Sequence, residues 1–149
     1  MHAAFFEDFR IGDRYTPPGR TVTEADIGGF AGLSGDFNPV HVDAEFARTT
    51  RFERPIAHGL LGLALAGGFL SRVGVIDGTA IAFLDVKWTF KAPIYAGDTI
   101  TAEIEVTDKR ETSRPGKGLV EFGFSLTNQT GTVTQQGTQL FLVAARPAR

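Results

Sequence analysis

The segment that most constrains the fold is residues 56–74, IAHGLLGLALAGGFLSRVG, which follows Pro55. Proline suits the first turn of a helix, where its missing N–H is not needed. Apolar or small residues occupy almost every position, so a helix here has no polar face and must be enclosed. Its apolar run falls short of the roughly 20 residues that a membrane span requires. The stretch therefore predicts a buried central helix that other elements wrap.

The second half of the chain supplies the wrapping layer. Apolar and polar residues alternate over 82–90, 101–107 and 120–127, and more weakly over 132–143. This period of two is typical of strands with one buried face, and Pro, Gly and Asn turns separate the runs. We predict an α+β fold in which a long antiparallel meander forms a β-sheet around the central helix.

Two shorter helices are predicted in the first half. Thr23, followed three residues later by Asp26, is a capping pattern, and an approximate helical stripe of apolar residues continues to Leu33. Gly35 marks the end of this helix. A second short helix is predicted over 42–48, beginning near Asp43.

The composition limits the class of protein. The 149 residues are 42% hydrophobic and 21% charged, which favours a single globular domain over 1–149. A net charge of −2 offers no basic surface for nucleic acid. The chain has no cysteine, which excludes disulfides and thiolate chemistry, and MHAAFFEDFR has acidic residues where a secretion signal has its apolar core. We expect a cytoplasmic protein without a membrane association.

Residues 34–41, SGDFNPVH, contain the side chains best suited to acid–base catalysis. Asn38 precedes proline and is biased away from helix, so an irregular loop can bring Asp36 beside His41. A carboxylate and an imidazole at this spacing can hold and polarise a water molecule near neutral pH. The same residue types also form ordinary turns, and His41 can simply cap the next helix. The residues alone leave both interpretations about equally open.

His58 and Gly59 stand at the start of the apolar segment. N–H groups in the first turn of a helix lack internal acceptors, so a carbonyl oxygen could approach Gly59 and develop negative charge there. By itself, the simpler interpretation is favoured, in which Gly59 permits close packing and His58 caps the helix. No metal site is predicted, since two internal histidines without cysteine do not form a ligand array. We assign no role to His2.

These motifs, in this order, resemble the MaoC-like hot-dog family, which includes (R)-specific enoyl-CoA hydratases and 3-hydroxyacyl dehydratases. The resemblance covers most of the chain. It runs through 6–15 (FEDFRIGDRY), 21–47, 54–67 (RPIAHGLLGLALAG) and 88–100 (WTFKAPIYAGDTI), and GDFNPVH at 35–41 is its most specific part. It implies the hot-dog fold, a sheet wrapped around a long central helix.

The resemblance also implies an activity and a site. Asp36 and His41 would be the catalytic pair, and the Gly59 N–H would bind a thioester carbonyl. Asn38, in the same loop, would be a supporting or substrate-binding residue. Ser34 and His58 are further candidates for that supporting or substrate-binding role. The reaction would be reversible hydration of a trans-2-enoyl-CoA to a (3R)-3-hydroxyacyl-CoA through a water held by Asp36 and His41. No cofactor or metal is expected, and the partners would be the acyl thioester and a second copy, as a homodimer or a dimer of dimers.

Two alternatives remain at this stage. A hot-dog acyl-CoA thioesterase would direct the water at the carbonyl carbon, and a non-catalytic acyl-thioester-binding module would keep the pocket without needing the Asp–His pair. The chain also departs from family hydratases that carry a hydroxyl residue further along the helix. It has Ala-Gly-Gly at 66–68 and Ser71 only later, which leaves the acyl preference open.

Overall fold

The computed structural model describes residues 3–147, so His2 lies outside the described part of the chain. A short 3₁₀ helix, Phe6–Asp8, precedes the main elements. In chain order, these are β1 (Arg14–Tyr15), β2 (Arg20–Thr21), α1 (Glu24–Ser34), α2 (Pro39–Val42), α3 (Ala44–Arg48), α4 (Gly59–Val73), β3 (Ala80–Phe90), β4 (Thr99–Glu111), β5 (Lys117–Thr127) and β6 (Val133–Ala144). Within residues 3–147, every helix is too short or too polar to span a bilayer.

The antiparallel sheet has the strand order β1-β4-β5-β6-β3, and β2 also pairs with β4. Strands β4, β5 and β6 form the predicted meander, but β3 pairs with β6 and so lies at the opposite end from β4. The connection at 91–98 is held by backbone hydrogen bonds to Thr134 and Val22. Alternation shows which residues face the core, but it carries no information about which strands pair.

Helix α4 packs on one face of this sheet. Its buried residues recur at helical spacing: Leu61, Gly62, Leu65, Ala66, Phe69 and Leu70. Facing them, the buried strand residues include Ile104, Val106, Val120, Phe122, Phe124 and Val143. Full burial of a Leu or Phe side chain is worth about 1.5–3 kcal/mol, so this layer is the main source of stability.

The other face of α4 differs from the prediction of a helix enclosed on all sides. Leu60 is 60% exposed, and Ala64, Gly67 and Gly68 are also exposed. The reason is geometric: in one chain, the sheet covers one side of the helix only.

Helix α4 also begins later than Pro55. Ile56 forms an isolated bridge with Tyr95, and its N–H donates to the Val40 carbonyl at 3.2 Å. The Ala57 N–H donates to Ile94 at 2.7 Å. These bonds hold residues 56–57 extended, and the helix starts only after them.

Strand β3 contains an irregularity that the alternation did not reveal. The register shifts between Phe83 and Asp85. As a result, the Phe83 ring stacks on Phe141 at 4.6 Å, while Leu84, predicted to face inward, is 51% exposed. A bulge reverses the alternation of faces beyond it.

The helices of the first half follow the predicted signals in most respects. Thr23 caps α1 in a capping box with Asp26, and Asp43 caps α3. Of the predicted apolar stripe on α1, Ile27 is buried, but Leu33 is 86% exposed. The single-turn helix α2 was not predicted.

Candidate active site

The turn that ends α1 starts the site. Gly35 is the C-cap residue in the left-handed region, φ 78°, a conformation that glycine adopts without steric cost. The Ser34 hydroxyl donates to the Phe30 carbonyl at 2.7 Å and accepts from the Asp36 N–H at 3.2 Å. Ser34 thus has its hydrogen bonds within the turn, where it supports the backbone of Asp36.

After the C-cap glycine of α1, the side chains of Asp36 and Asn38 each cap a backbone N–H two residues further on, and these bonds turn the chain into α2. Asp36 Oδ1 accepts from the Asn38 N–H at 3.1 Å, and Asn38 Oδ1 accepts from the Val40 N–H at 3.2 Å. With Pro39 at its first position, the cap begins α2, which carries His41. His41 therefore lies on a helical turn, whereas the sequence predicted an irregular loop.

Asp36 and His41 are brought side by side, as predicted. His41 Nε2 lies 3.9 Å from Asp36 Oδ2, and the side chains are 11% and 54% exposed. This distance is too long for a direct hydrogen bond but leaves a water molecule within reach of both atoms. His41 Nδ1 lies 2.7 Å from the Ile56 carbonyl, which can only accept. A neutral His41 therefore carries its proton on Nδ1 and presents the Nε2 lone pair toward the carboxylate side.

His58 joins the turn to α4. Its Nε2 lies 2.8 Å from the Asp36 carbonyl oxygen, and its ring stacks on His41 at 3.8 Å with 27° between the planes. Phe30 packs against the same ring at 5.0 Å. The side chain is 2% exposed and makes no cap bond to α4, contrary to the simpler interpretation. Within residues 3–147, its Nδ1 has no hydrogen-bond partner.

Gly59 opens α4 next to these rings. Among the described residues, no acceptor takes its N–H, as expected for the first helical position. A Cβ at this position would lie 2.9 Å from the Phe90 ring, so the bare Cα allows this close approach. A pocket of about 210 Å³ extends from Gly59 and is bordered by Phe90, Ile94, Gln135 and the cationic residues Arg51 and Lys91.

The same cluster offers possible metal ligands. Asp36, His41 and His58 each place one ligand atom within 4.8 Å of the others. His41 Nδ1 and His58 Nε2 each lie within hydrogen-bonding distance of a backbone carbonyl oxygen, so each ring has one nitrogen left for another partner. The expectation of a metal-free site remains a prediction.

Two other cavities differ in their relation to this cluster: the first contains none of the predicted site residues, and the second borders His41. One cavity, of about 680 Å³, lies on the sheet around Trp88, Gly123 and Gly137, and none of the six predicted site residues lines it. A second, about 430 Å³, borders His41 together with Ile27 and Arg54.

Three groups at the site were not identified from the sequence. They are the Ile56 carbonyl, the Phe30 ring and the Gln135 amide. A carbonyl acceptor leaves no side-chain signal, and Phe30 was counted among the apolar stripe of α1. Gln135 interrupts the alternation of the last strand, which was the one available signal.

Comparisons with known proteins identify relatives. Residues 8–127 match the family model described as MaoC like domain. The (R)-specific enoyl-CoA hydratase of Rhodospirillum rubrum is 38% identical over 95% of this chain and 93% of its own length. The (R)-specific enoyl-CoA hydratase of Aeromonas caviae is 47% identical over 58% of this chain and 63% of that protein.

The solved structures agree on the fold. The X-ray structure of the protein described as monoamine oxidase regulatory protein from Archaeoglobus superimposes with a TM-score of 0.92 and 36% identity, covering 99% of this chain and 98% of that one. The antiparallel sheet packed on α4 is the hot-dog arrangement predicted from the sequence. This chain belongs to the MaoC-like domain family.

Proposed function

We propose that this protein is a hydro-lyase that adds water reversibly to a trans-2-enoyl-CoA and forms a (3R)-3-hydroxyacyl-CoA. The observation that carries the proposal is the 3.9 Å spacing of Asp36 Oδ2 and His41 Nε2. The Gly59 N–H, at the start of the helix that His58 joins to this turn, has no acceptor among residues 3–147. Two relatives bearing the name (R)-specific enoyl-CoA hydratase support it.

In the proposed step, Asp36 and His41 hold the attacking water. Both atoms that face it are acceptors, so the water donates one hydrogen to each and directs a lone pair at C3 of the substrate. The C3–O bond forms while one O–H bond breaks, and the pair takes that proton. The pair then returns one proton to C2, so both residues end in their starting state. Positioned acid–base groups of this kind contribute about 10²–10⁴-fold to a rate.

Gly59 supplies the other half of the chemistry. As water adds to C3, negative charge builds on the thioester oxygen. The Gly59 N–H, at the positive end of α4, donates to that oxygen. Loss of one such donor costs about 2.7–4 kcal/mol in other enzymes. We propose the pocket that Gly59 borders as the place where the thioester binds; His41 borders a different cavity.

The proposal needs no cofactor and no metal, because both proton steps use side chains and the charge is met by a backbone N–H. We also propose a cytoplasmic location, with which a chain that has no cysteine is compatible.

The proposal includes a second copy of the chain. Within residues 3–147, strand β3 pairs with β6 alone, and along it Ile81, Phe83, Leu84 and Phe90 are each more than half exposed. Long apolar edge strands are normally paired or blocked. We propose that β3 and the exposed face of α4 meet their counterparts in a homodimer, alone or within a dimer of dimers. Sedimentation of Leu84→Lys should then show a shift toward monomer.

The decisive experiment is an assay over a panel of enoyl-CoA substrates that includes branched and dicarboxylic acyl groups. With crotonyl-CoA, we expect loss of the enoyl absorbance and formation of 3-hydroxybutyryl-CoA without free thiol. Release of thiol with the enoyl absorbance intact would instead establish a thioesterase. Binding of the thioester without any turnover would establish a non-catalytic module.

A further inference from the structure

The amide of Gln135 connects the sheet to the first turn of α4. Gln135 lies on β6 and is 3% exposed. Its Nε2 donates to the Gly59 carbonyl at 3.1 Å, and its Oε1 accepts from Trp88 Nε1 at 2.9 Å. An indole N–H can only donate and a carbonyl can only accept, so these partners fix the orientation of the amide. A buried amide paired at both ends holds its neighbours in one geometry.

Gly62 provides the space that this amide occupies. A Cβ at Gly62 would lie 2.2 Å from Gln135 Nε2 and 2.4 Å from its Oε1. Gly62 follows Gly59 by three residues, so the two lie on neighbouring turns of one helix face. The missing side chain at Gly62 is thus matched to the amide of Gln135.

The backbone around Gly59 is consequently tied on both sides. The residue before it is tied to the turn, because His58 Nε2 bonds the Asp36 carbonyl at 2.8 Å. The carbonyl of Gly59 itself is linked to the sheet by its hydrogen bond from Gln135 Nε2. The Gly59 N–H lies between the two ties, and Gln135 borders the same pocket as Gly59.

We infer that Gln135 is a positioning residue that sets the direction of the Gly59 N–H toward the substrate carbonyl. Glycine has the freest backbone of any residue, so a donor on Gly59 needs external restraint to stay aligned. The inference rests on the proposed function, since alignment of this N–H matters only when a thioester oxygen binds there.

The first test is Gln135→Leu, which retains the bulk of the side chain and removes both hydrogen bonds. Misalignment of the Gly59 N–H weakens its hydrogen bond to the transition state more than its bond to the bound substrate. We therefore expect kcat for crotonyl-CoA to fall about 10- to 100-fold, with KM unchanged within about twofold. The matched control is Gln136→Leu, on the opposite face of the same strand, which should keep the wild-type kcat.

A second pair of variants separates packing from alignment. Gly62→Ala leaves Gln135 in the chain but displaces its amide, and it should lower kcat to a similar extent. Gly62→Ala combined with Gln135→Val fills the same space with carbon atoms. This double variant should regain thermal stability relative to Gly62→Ala while kcat stays low. Recovery of kcat along with stability would show that packing alone matters and would overturn the inference.

A readout independent of turnover keeps the inference apart from the proposed function. The ¹H–¹⁵N resonance of Gly59 should shift in Gln135→Leu and stay in place in Gln136→Leu. If the wild-type protein hydrates no enoyl-CoA, the proposed function fails. The chemical shift of Gly59 in Gln135→Leu still tests whether Gln135 positions the Gly59 backbone. An unmoved Gly59 resonance in Gln135→Leu, or a kcat equal to that of Gln136→Leu, overturns the inference.

Discussion

The two halves of the site are built in different ways. In the turn at 34–41, the side chains of Ser34, Asp36 and Asn38 bond backbone groups two to four residues away. The His41 ring, at the end of the turn, reaches the Ile56 carbonyl 15 positions away. At the start of α4, the corresponding bonds join His58 to Asp36 across 22 positions and Gly59 to Gln135 across 76. The bend at 34–40 thus depends mainly on local bonds, whereas the helix end is shaped by distant parts of the fold. Variants in the two halves should therefore fail in different ways.

The largest effect is expected where the turn presents its reactive atoms. Asp36→Asn retains an oxygen that can accept from the Asn38 N–H, and His41→Asn retains a donor near the position of Nδ1. Both variants should fold, because the bonds that shape the turn survive. Each should lower kcat for crotonyl-CoA hydration by about 10²–10⁴-fold, measured from initial rates.

Asp108→Asn is the control for this pair, since its half-exposed carboxylate lies near Arg110 at the far end of β4. It should retain the wild-type rate. Wild-type rates in both site variants, with unchanged circular dichroism, would remove Asp36 and His41 from the catalytic assignment.

The next effect is expected at the contact between the two halves. His58→Phe keeps an aromatic ring against His41 but loses the bond to the Asp36 carbonyl. We expect kcat to fall about 10- to 100-fold because the turn is no longer tied to α4. The free energy of unfolding should change by only about 1 kcal/mol, since the unpartnered Nδ1 is removed along with the bond. A wild-type kcat would show that the turn holds Asp36 without this contact.

A smaller effect is expected from a cap within the turn. Asn38→Ala removes the acceptor for the Val40 N–H, and loss of an N-cap costs about 0.5–2 kcal/mol. Chemical denaturation should show this loss, while kcat falls less than in His58→Phe. Asn38→Asp preserves the cap and should restore stability; if it does not, the cap bond is not the source of the effect.

The smallest effect is expected away from the site, in the capping box of α1. The backbone N–H of Thr23, with Arg20 nearby, lowers the pKa of Asp26 from its ordinary value of 3.8. A carboxyl whose pKa is lowered on folding stabilises the protein above its unfolded pKa, and that contribution disappears as the pH falls through the folded pKa. Asp26→Asn should therefore cost about 1 kcal/mol or less at pH 7.

The pH dependence provides the check on Asp26. In urea titrations, the stability difference between wild type and Asp26→Asn should shrink as the pH falls below about 4. A difference that is independent of pH would mean that the charge on Asp26 contributes nothing.

The comparison also explains which predictions from sequence succeeded. Thr23 and Asp43 cap helices as predicted, because a cap depends on residues three positions apart. The sequence allowed the juxtaposition of Asp36 and His41 as one of two interpretations of an irregular loop, and the structure brings the two together with His41 on α2. By contrast, the pairing of β3 with β6 and the bulge after Phe83 were missed. Both depend on contacts between distant strands, which periodicity does not record.

The alternating strands, the apolar helix and the polar turn can be inferred from the sequence alone, because each depends on propensities and spacings within a few residues. The folded chain adds the rest: the sheet covers one face of α4, His58 links the turn to the helix, and Gln135 bonds Gly59. These contacts require strands and helices to meet in one particular arrangement. The many long-range packing terms that select that arrangement are shared among distant residues, so no single stretch of sequence displays them.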